Sequence, residues 1–495
     1  MHKSTIITLL LAFVSLTGQA TTIEEYHFRS GSAVLKGRIL NKAESEWSIV
    51  NVVTSNLFSD EEQVHAIPVA ADGSFEGRIP LLHSQSVMIQ DMGYVFLAVG
   101  DTLEVTKDAL QEENEKGVTF SGHGMSAAVN RLWPGVKKHY FGDKDLFVKG
   151  LEREDIPAWK QRMVKLTDTV IADIEANRLP VPATTSAGVK EVLGFSLLGD
   201  LLMAAMENYR FNMTSGGYYQ INREELGDYY DFLAGRERWL TDNPSMLFAI
   251  DNPGTLFNYT WIYIMIDISF SPHEEEESSA DYYRKASNVI TSRYGFKNIG
   301  FLHQMALCSD VFRESNLDED SDPNQLTDKF AAIIPLLNYP VVAHQALQRY
   351  RQYIQQREVK AAATVSSTPE ADALFQRIIE PYKGNTLLVH FWGMSCAPCR
   401  REMLDEREKV ERLKDAPVRF LYICDEKDSP QEHTEQWLTK NNIKGEHIYV
   451  THNEWNLLAA KFNFYAIPFS IGVDKDGNVV DFDEVNKYVK EIQNE

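Results

Sequence analysis

The chain contains 495 residues, of which 44% are hydrophobic and 24% are charged. At roughly 100–200 residues per domain, this length predicts two to four domains, and the composition excludes wholesale disorder, a collagen-like fibre and a multi-span membrane protein. The net charge of -22 disfavours non-specific binding to nucleic acid or to an anionic membrane surface.

The first 20 residues have the pattern of a secretory signal peptide. A short basic start is followed by an apolar run from Ile6 to Leu16, and Gly18 and Ala20 place small residues where a signal peptidase cleaves. The run is too short for a membrane-spanning helix, which needs about 20 residues. We therefore expect export to the periplasm or cell envelope and no transmembrane span after cleavage. A buried core helix and an uncleaved anchor are the alternatives.

Residues 21–124 predict a small antiparallel β-sandwich. Short runs that alternate apolar and polar side chains, such as Val34 to Leu40 and Ser48 to Val53, are typical of strands. Asp72-Gly73 and Gly100-Asp101 supply turns between such runs. We expect the turn at Asp72-Gly73 to close a hairpin.

Residues 125–359 predict an α-helical domain. Stretches such as Val189 to Met206 and Phe330 to Tyr353 have a period of three to four residues. The acidic segments 273–277 and 318–322 are interpreted as solvated loops. The second has the alternating aspartates of a calcium loop, but Pro323 and Lys329 stand where that motif needs glycine and glutamate, so we expect no metal there.

Residues 360–372 lack an apolar stripe and are interpreted as a linker to a last domain, residues 373–495. Strand and helix patterns alternate there, starting with a strand from Leu387 to Trp392 and a helix after Cys396. A hairpin around Asp476-Gly477 and a closing helix follow. This alternation predicts an α/β domain with a central sheet covered by helices.

Cys396 and Cys399 form a CxxC motif where the apolar strand ends and the helix begins. The N-terminus of a helix stabilises a thiolate and lowers a cysteine pKa into the range of roughly 3.5–7.5. We therefore predict that Cys396 attacks a disulfide and that Cys399, one turn further on, resolves the mixed disulfide. The alternatives are an inert structural disulfide and half of a zinc site. Zinc needs four ligands, and neither Cys308 nor Cys424 belongs to a second CxxC, so both are predicted as small buried residues.

The segment from Leu374 to Glu495, about a quarter of the chain, resembles a thioredoxin-fold domain of the TlpA/ResA type, the exported thiol-disulfide oxidoreductases. The similarity is carried by Phe391-Trp392, by Cys396-Ala397-Pro398-Cys399 and by Phe464-Tyr465-Ala466-Ile467-Pro468. It implies that Pro468 is cis and faces the two cysteines, where the adjoining backbone pairs with an extended substrate segment. The sandwich and the helical middle also resemble the N-terminal parts of multi-domain exported relatives.

Three positions depart from the family pattern. Ser395 stands where the family has tryptophan, and Phe469 stands where threonine is common, which leaves substrate preference and redox potential open. His390 replaces an acid or amide in the strand before the motif. A buried imidazole there is able to exchange a proton with Cys399, and the alternative is a strand histidine bonded to a backbone carbonyl.

Three other side chains near the motif are predicted to take no part in the reaction. Trp392 is predicted to pack beside the site, and Arg400 and Glu402 are predicted to face solvent on the helix. No flavin, nicotinamide or metal motif occurs in the sequence. The expected redox centre is therefore the Cys396-Cys399 pair, with no added cofactor.

The sequence thus predicts an exported protein disulfide reductase that acts on protein thiols and disulfides and is restored by an upstream reductant. Substrate oxidation would use the same residues, since direction depends on reduction potential. The alternative function is an envelope interaction protein whose thioredoxin domain is a docking module with little turnover. Peroxide reduction is a further possibility on the same fold.

Overall fold

A computed structural model gives the fold of the protein. It describes residues 28–43, 47–58, 61–111, 116–142, 146, 155–213, 235–249, 278–293, 299–312, 323–358 and 368–494. The predicted signal peptide, both acidic segments and most of the predicted linker lie outside the described residues.

The first domain is a β-sandwich, as predicted. Its strands are β1 (Gly31–Leu40), β2 (Ile49–Asn56), β3 (Glu61–Pro68), β4 (Ser74–Leu81), β5 (Gln85–Ile89), β6 (Gly93–Leu97), β7 (Thr102–Asp108) and β8 (Val118–Ser121). One sheet has the order β4-β1-β7-β8 and the other β3-β2-β5-β6. Neighbouring strands are antiparallel except for the parallel pair β1–β7. Leu35, Val52 and Leu103 are fully buried between the sheets.

The predicted turn at Asp72-Gly73 is present, but it does not close a hairpin within one sheet. Gly73 has a φ of 82°, and a Cβ there would lie 2.2 Å from the carbonyl oxygen of Ile39, so only glycine fits. The turn leads from β3 to β4, which belong to different sheets and are joined there by the isolated bridge Val69–Phe75. It therefore carries the chain from one layer of the sandwich to the other.

The middle of the chain is helical, as predicted. Its helices are α1 (Met125–Phe141), α2 (Ile156–Glu175), α3 (Ala187–Met213), α4 (Glu237–Leu240), α5 (Ser279–Arg293), α6 (Phe301–Val311), α7 (Pro323–Ile333) and α8 (Pro340–Glu358). Helix α1 is tied to the sandwich because the Asn130 side chain bonds both the N–H and the carbonyl of Phe96, at 2.9 and 2.8 Å. Among the helices of the described residues, none has both the length and the apolar character needed to cross a bilayer.

The helical stretch predicted from Phe330 to Tyr353 is interrupted. Helix α7 ends in a short 3-10 helix (Ile334–Leu336), and α8 begins only at Pro340. Pro335 and Pro340 have no backbone N–H, so an α-helix cannot continue through either residue without losing a hydrogen bond. Apolar periodicity therefore predicted the helical content but not the break.

The last domain has the predicted central sheet covered by helices. Its elements are α9 (Pro369–Ile379), β9 (Thr386–Trp392), α10 (Ala397–Arg412), β10 (Val418–Asp425), α11 (Gln431–Lys440), β11 (Glu446–Val450), α12 (His452–Phe462), β12 (Phe469–Val473), β13 (Val479–Val480) and α13 (Phe482–Asn494). The sheet order is β11-β10-β9-β12-β13, with β9, β10 and β11 parallel and β12 and β13 antiparallel to their neighbours. Helices α9 and α12 pack on one face, and α10, α11 and α13 pack on the other.

Helix α9 begins inside the segment that was predicted as a linker. The Thr368 side chain caps it by accepting a hydrogen bond from the N–H of Ala371 at 3.2 Å, and Pro369 occupies the first helical position. Residues 369–372 are therefore helical, and Ala371 is only 1% exposed in the domain core. A Thr-Pro pair is a helix-start signal, which outweighs the weak apolar pattern of these residues.

Strand β2 is buried on both faces because two domains meet on it. Val52 points into the sandwich core, while Ile49 and Val53 pack into the core that contains α12 of the last domain. At the edge of this contact, the N–H and hydroxyl of Ser48 both donate to Oδ1 of Asn453 at 2.9 Å. We call this contact between the sandwich and the last domain the domain interface.

Candidate functional site

Cys396 and Cys399 lie where β9 leads into α10, and a disulfide joins them with their Cα atoms 5.4 Å apart. Cys396 caps α10, and its Sγ accepts a hydrogen bond from the N–H of Cys399 at 3.1 Å. Pro398 lies in the first turn, where a missing N–H removes no helical hydrogen bond. The Cys396 sulfur therefore sits at the positive end of the helix dipole, which favours its thiolate form when the pair is reduced.

The two cysteine residues differ in exposure to solvent. Cys396 is 8% exposed and Cys399 is 2% exposed, so Cys396 is the more accessible cysteine, as predicted, although it shows little surface. Met394 and Ile467 are partly buried and pack against the cluster that contains both cysteines. The two cysteines therefore lie in a largely apolar environment.

The peptide bond between Ile467 and Pro468 is cis, which confirms the conformation implied by the family resemblance. Pro468 directly precedes β12, and β12 pairs with β9 so that Phe469 lies opposite Phe391. This pairing brings the cis-proline loop to the end of β9 from which the CxxC motif begins. Tyr465 in the same loop is 53% exposed.

His390 lies on the face of β9 that is covered by α10, but its contacts differ from the predicted ones. Its Nδ1 is 3.0 Å from the hydroxyl of Ser470, and its Nε2 is 3.7 Å from Oε2 of Glu406. The ring stacks on Tyr422. Burial lowers the pKa of His390, although the nearby Glu406 opposes this shift. Within the described residues, its polar neighbours are thus Ser470 and Glu406, and the direct contact with Cys399 is not formed.

Glu402 and Glu406 of α10 lie on the same helical face as Cys399, one and two turns further on. Glu402 and Arg400, both predicted to face solvent, are half-buried. Burial, and secondarily the charge of Glu406, raises the pKa of Glu402. Glu406 pairs with Lys409 at 3.1 Å and also approaches His390. Glu402 and Glu406 therefore follow Cys399 along one face of α10, and Glu406 approaches His390, an arrangement that the sequence interpretation missed.

Asp428 and Ser429 support the turn before Cys396, and they too were missed. The N–H of Met394 donates to the hydroxyl of Ser429 at 2.8 Å, and the N–H of Ser395 donates to Asp428 at 3.4 Å. A Cβ on Gly393 would lie 2.2 Å from Oδ2 of Asp428, so glycine lets this carboxylate approach the backbone. A signal existed, because both residues follow β10, and neighbouring parallel strands end at the same edge of the sheet.

The other two cysteines form no disulfide. Cys308 and Cys424 are free and buried, as predicted. Burial raises the pKa of both thiols, that of Cys424 to about 12. Trp392 is 2% exposed and packs against Trp437, which agrees with its predicted packing role. The described residues contain no group of three or more His, Cys, Asp or Glu side chains arranged to hold a metal ion.

Residues 375–494 match the Redoxin family model. The C-terminal part of the chain is a Redoxin domain. The match includes both cysteines of the CxxC motif, His390 and Pro468. It agrees with the predicted thioredoxin-like fold of this domain, and it leaves the sandwich and the helical middle outside the matched region. No curated protein matches the sequence.

Solved structures similar to the Redoxin domain include three bacterial proteins. A thiol:disulfide interchange protein from Bacteroides sp. is 19% identical, with 23% of this chain and 78% of that chain covered and a TM-score of 0.21. A thioredoxin family protein from Chlorobium tepidum TLS is 22% identical, with 22% and 83% covered and a TM-score of 0.20. StoA from Bacillus subtilis is 16% identical, with 22% and 85% covered and a TM-score of 0.19.

Proposed function

We propose that the protein is an exported thiol-disulfide oxidoreductase of the TlpA/ResA type that reduces disulfides in other proteins of the cell envelope. The observation that carries this proposal is the Cys396–Cys399 disulfide at the N-terminus of α10 within a Redoxin domain. The cis-proline loop beside it supplies a backbone edge for an extended substrate segment. Export rests on the signal-peptide pattern of residues 1–20.

The proposed reaction moves two electrons and two protons. The Cys396 thiolate attacks one sulfur of a substrate disulfide and forms a mixed disulfide, while the other substrate sulfur leaves and takes up a proton. Cys399 then loses its proton and attacks the Sγ of Cys396, which releases the second substrate thiol. The Cys396–Cys399 disulfide remains, and an upstream dithiol reductant returns it to the reduced form.

Replacing Cys399 with serine is expected to trap substrates. The variant retains the attacking thiolate but lacks the thiol that resolves the mixed disulfide, so covalent adducts on Cys396 should accumulate. The measurement is affinity purification of tagged full-length C399S from its own cells under non-reducing conditions, followed by mass spectrometry of partners released by a reductant.

The matched control is the double variant C396S/C399S, which has the same fold requirements and no attacking thiol. Adducts that are present in C399S and absent from the double variant support the reductase. If C399S carries no adducts, and the pKa for alkylation of Cys396 in the wild type is that of a free cysteine, the domain is instead a docking module with little turnover.

We further propose that His390 accepts the proton that Cys399 loses during resolution, by way of Glu402 and Glu406. Replacing His390 with asparagine keeps a polar partner for Ser470 and removes the base. The rate at which the mixed disulfide is resolved should fall about a hundredfold, the lower end of the usual range for a lost general base. Attack by Cys396 should keep its rate.

The pH dependence tests this role independently of folding. Since burial lowers the pKa of His390 from its ordinary value of 6.5, the imidazole is neutral and able to accept a proton at neutral pH. The resolution rate of the wild type should therefore decrease at a pH below 6.5, and this decrease should be absent from His390→Asn. Stopped-flow measurement of release from a preformed mixed disulfide gives both profiles, and identical profiles would refute the role.

A further inference from the structure

The loop that joins β10 to α11 contacts two different parts of the molecule. We define the 425–429 loop as the residues from Asp425 to Ser429. One end of it supports the turn before Cys396, and the other end meets the sandwich at Asp91, which lies between β5 and β6. The loop thus links the sandwich to the turn before the CxxC motif.

On the redox side, the loop fixes three consecutive residues of the motif's entry turn. Ser429 is fully buried, and its hydroxyl accepts from Met394 while donating to Asp428 at 3.0 Å. Asp428 in turn accepts a hydrogen bond from the N–H of Ser395, and its carboxylate lies close to the backbone of Gly393. Because Ser395 directly precedes Cys396, these bonds constrain the backbone at the start of α10.

On the sandwich side, each carboxylate oxygen of Asp91 binds a basic side chain that belongs to the 425–429 loop or contacts it. Oδ1 of Asp91 binds the Lys427 ammonium at 3.1 Å, and Oδ2 binds Nε2 of His452 at 2.7 Å. His452 reaches the loop through its other nitrogen, since Nδ1 lies 2.5 Å from Oδ2 of Asp425. Asp425 also accepts the backbone N–H of Lys427 at 2.9 Å.

This group contains two acidic side chains, Asp91 and Asp425, and two basic ones, His452 and Lys427. The side chains of Asp91 and Asp425 are 11% and 10% exposed. Burial alone would lower the pKa of His452, but the hydrogen bonds to Asp425 and Asp91 outweigh it and raise the pKa to about 9. Burial likewise opposes ionisation of Asp91, but His452 and Lys427 lower its pKa to about 2. At neutral pH the imidazolium therefore bridges two carboxylates across the domain interface.

We propose that Asp91 of the sandwich is a positioning residue for the Cys396–Cys399 pair, acting through Lys427, His452 and the 425–429 loop on the turn before Cys396. This inference rests on the proposed redox function of the pair. Through Asp91, the sandwich would influence the redox chemistry of the Cys396–Cys399 pair, which lies in the last domain. Without the Asp91 contacts, the entry turn is less constrained and the helix N-terminus stabilises the Cys396 thiolate less.

The test is the equilibrium between the full-length protein and glutathione. The reduced pair and oxidised glutathione exchange to give the Cys396–Cys399 disulfide and two reduced glutathione molecules. Alkylation of free thiols followed by mass spectrometry gives the equilibrium constant. Asp91→Asn is the key variant, because Asp91 has a φ of 62° and asparagine tolerates this left-handed conformation.

We expect Asp91→Asn to shift this constant toward the disulfide by about three- to tenfold, and Ser429→Ala to shift it in the same direction. The double variant D91N/S429A should shift it no further than S429A does, because both changes act on one turn. A constant within about twofold of wild type in D91N, or strictly additive effects in the double variant, would overturn the inference.

The matched control is Asn453→Ala, which removes the Ser48 contacts at the same domain interface without touching the 425–429 loop. It should leave the constant unchanged, and a shift as large as that of D91N would overturn the specific role of Asp91. If D91N does not fold, Lys427→Met tests the same link, since the Lys427 side chain is 49% exposed and His452 keeps both partners. An unchanged constant in K427M then refutes the inference.

The exchange of the wild-type protein with glutathione distinguishes a failure of this inference from a failure of the proposed function. A wild-type pair that exchanges with glutathione while D91N behaves identically refutes only the role of Asp91. A wild-type pair that does not exchange refutes both proposals.

Discussion

Replacing Cys396 with serine is expected to lower the rate of protein disulfide reduction by at least about a thousandfold, because a hydroxyl at the helix N-terminus is neither ionised near neutral pH nor able to form a mixed disulfide. The measurement is reduction of a fluorescently labelled disulfide protein by full-length protein supplied with a small dithiol as reductant. The rate is compared with that of the dithiol alone.

The other cysteines provide matched controls. Cys424→Ser and Cys308→Ala each remove one buried thiol whose pKa burial has raised, so each variant should retain the wild-type rate. A loss comparable to that of Cys396→Ser in either folded variant would contradict the proposal that Cys396 is the attacking residue.

Replacing His452 with glutamine is expected to lower the free energy of unfolding by about 2–3 kcal/mol, because it leaves Asp91 and Asp425 buried without their shared cation. This loss is smaller than that expected for a fully buried ion pair, because the His452 side chain is 30% exposed. Urea denaturation of the full chain, followed by tryptophan fluorescence, measures the difference from wild type.

The pH dependence of this difference identifies its source. The pKa of His452 rises from 6.5 to about 9 on folding, so its contribution is complete below pH 6.5 and disappears as the pH rises through 9. The pKa of Asp91 falls from 3.8 to about 2, so its contribution is complete above pH 3.8 and is lost as the pH falls toward 2. The difference between wild type and His452→Gln should therefore be largest between these limits, near pH 5.

His433→Gln is the control for the same chemical change. His433 is an exposed residue of α11, outside the domain interface. Its replacement should leave the unfolding free energy within a few tenths of a kcal/mol of wild type, as is usual for surface sites. A His452→Gln difference that persists unchanged at pH 10 would contradict the charged bridge.

Much of the Redoxin domain could be predicted from the sequence because its signals are local. The apolar run before Trp392 predicts β9, and a CxxC with proline in its third position predicts the helix start that Cys396 caps. The break between helices α7 and α8 was harder to predict from the sequence. Pro335 and Pro340 interrupt a stretch whose apolar period continues through both of them, so a periodicity argument alone joins two helices into one.

The supporting residues of the site could not be derived in the same way. Asp91 and His452 are separated by 361 positions, and no local pattern relates them. Strand β2 likewise has apolar residues on both of its faces, which fits a strand covered on both sides but does not identify what covers the second face. Only the tertiary structure reveals that Ile49 and Val53 contact the last domain.

The double burial of β2 also bears on how this protein can change over evolution. A domain that is joined to its neighbours by a linker alone can be exchanged for another of the same fold without further change. Here an exchange would uncover Ile49 and Val53 on the sandwich, together with the apolar surface of the Redoxin domain that they cover. We therefore expect substitutions at these two positions to be accompanied by compensating substitutions along α12 in descendants of this chain.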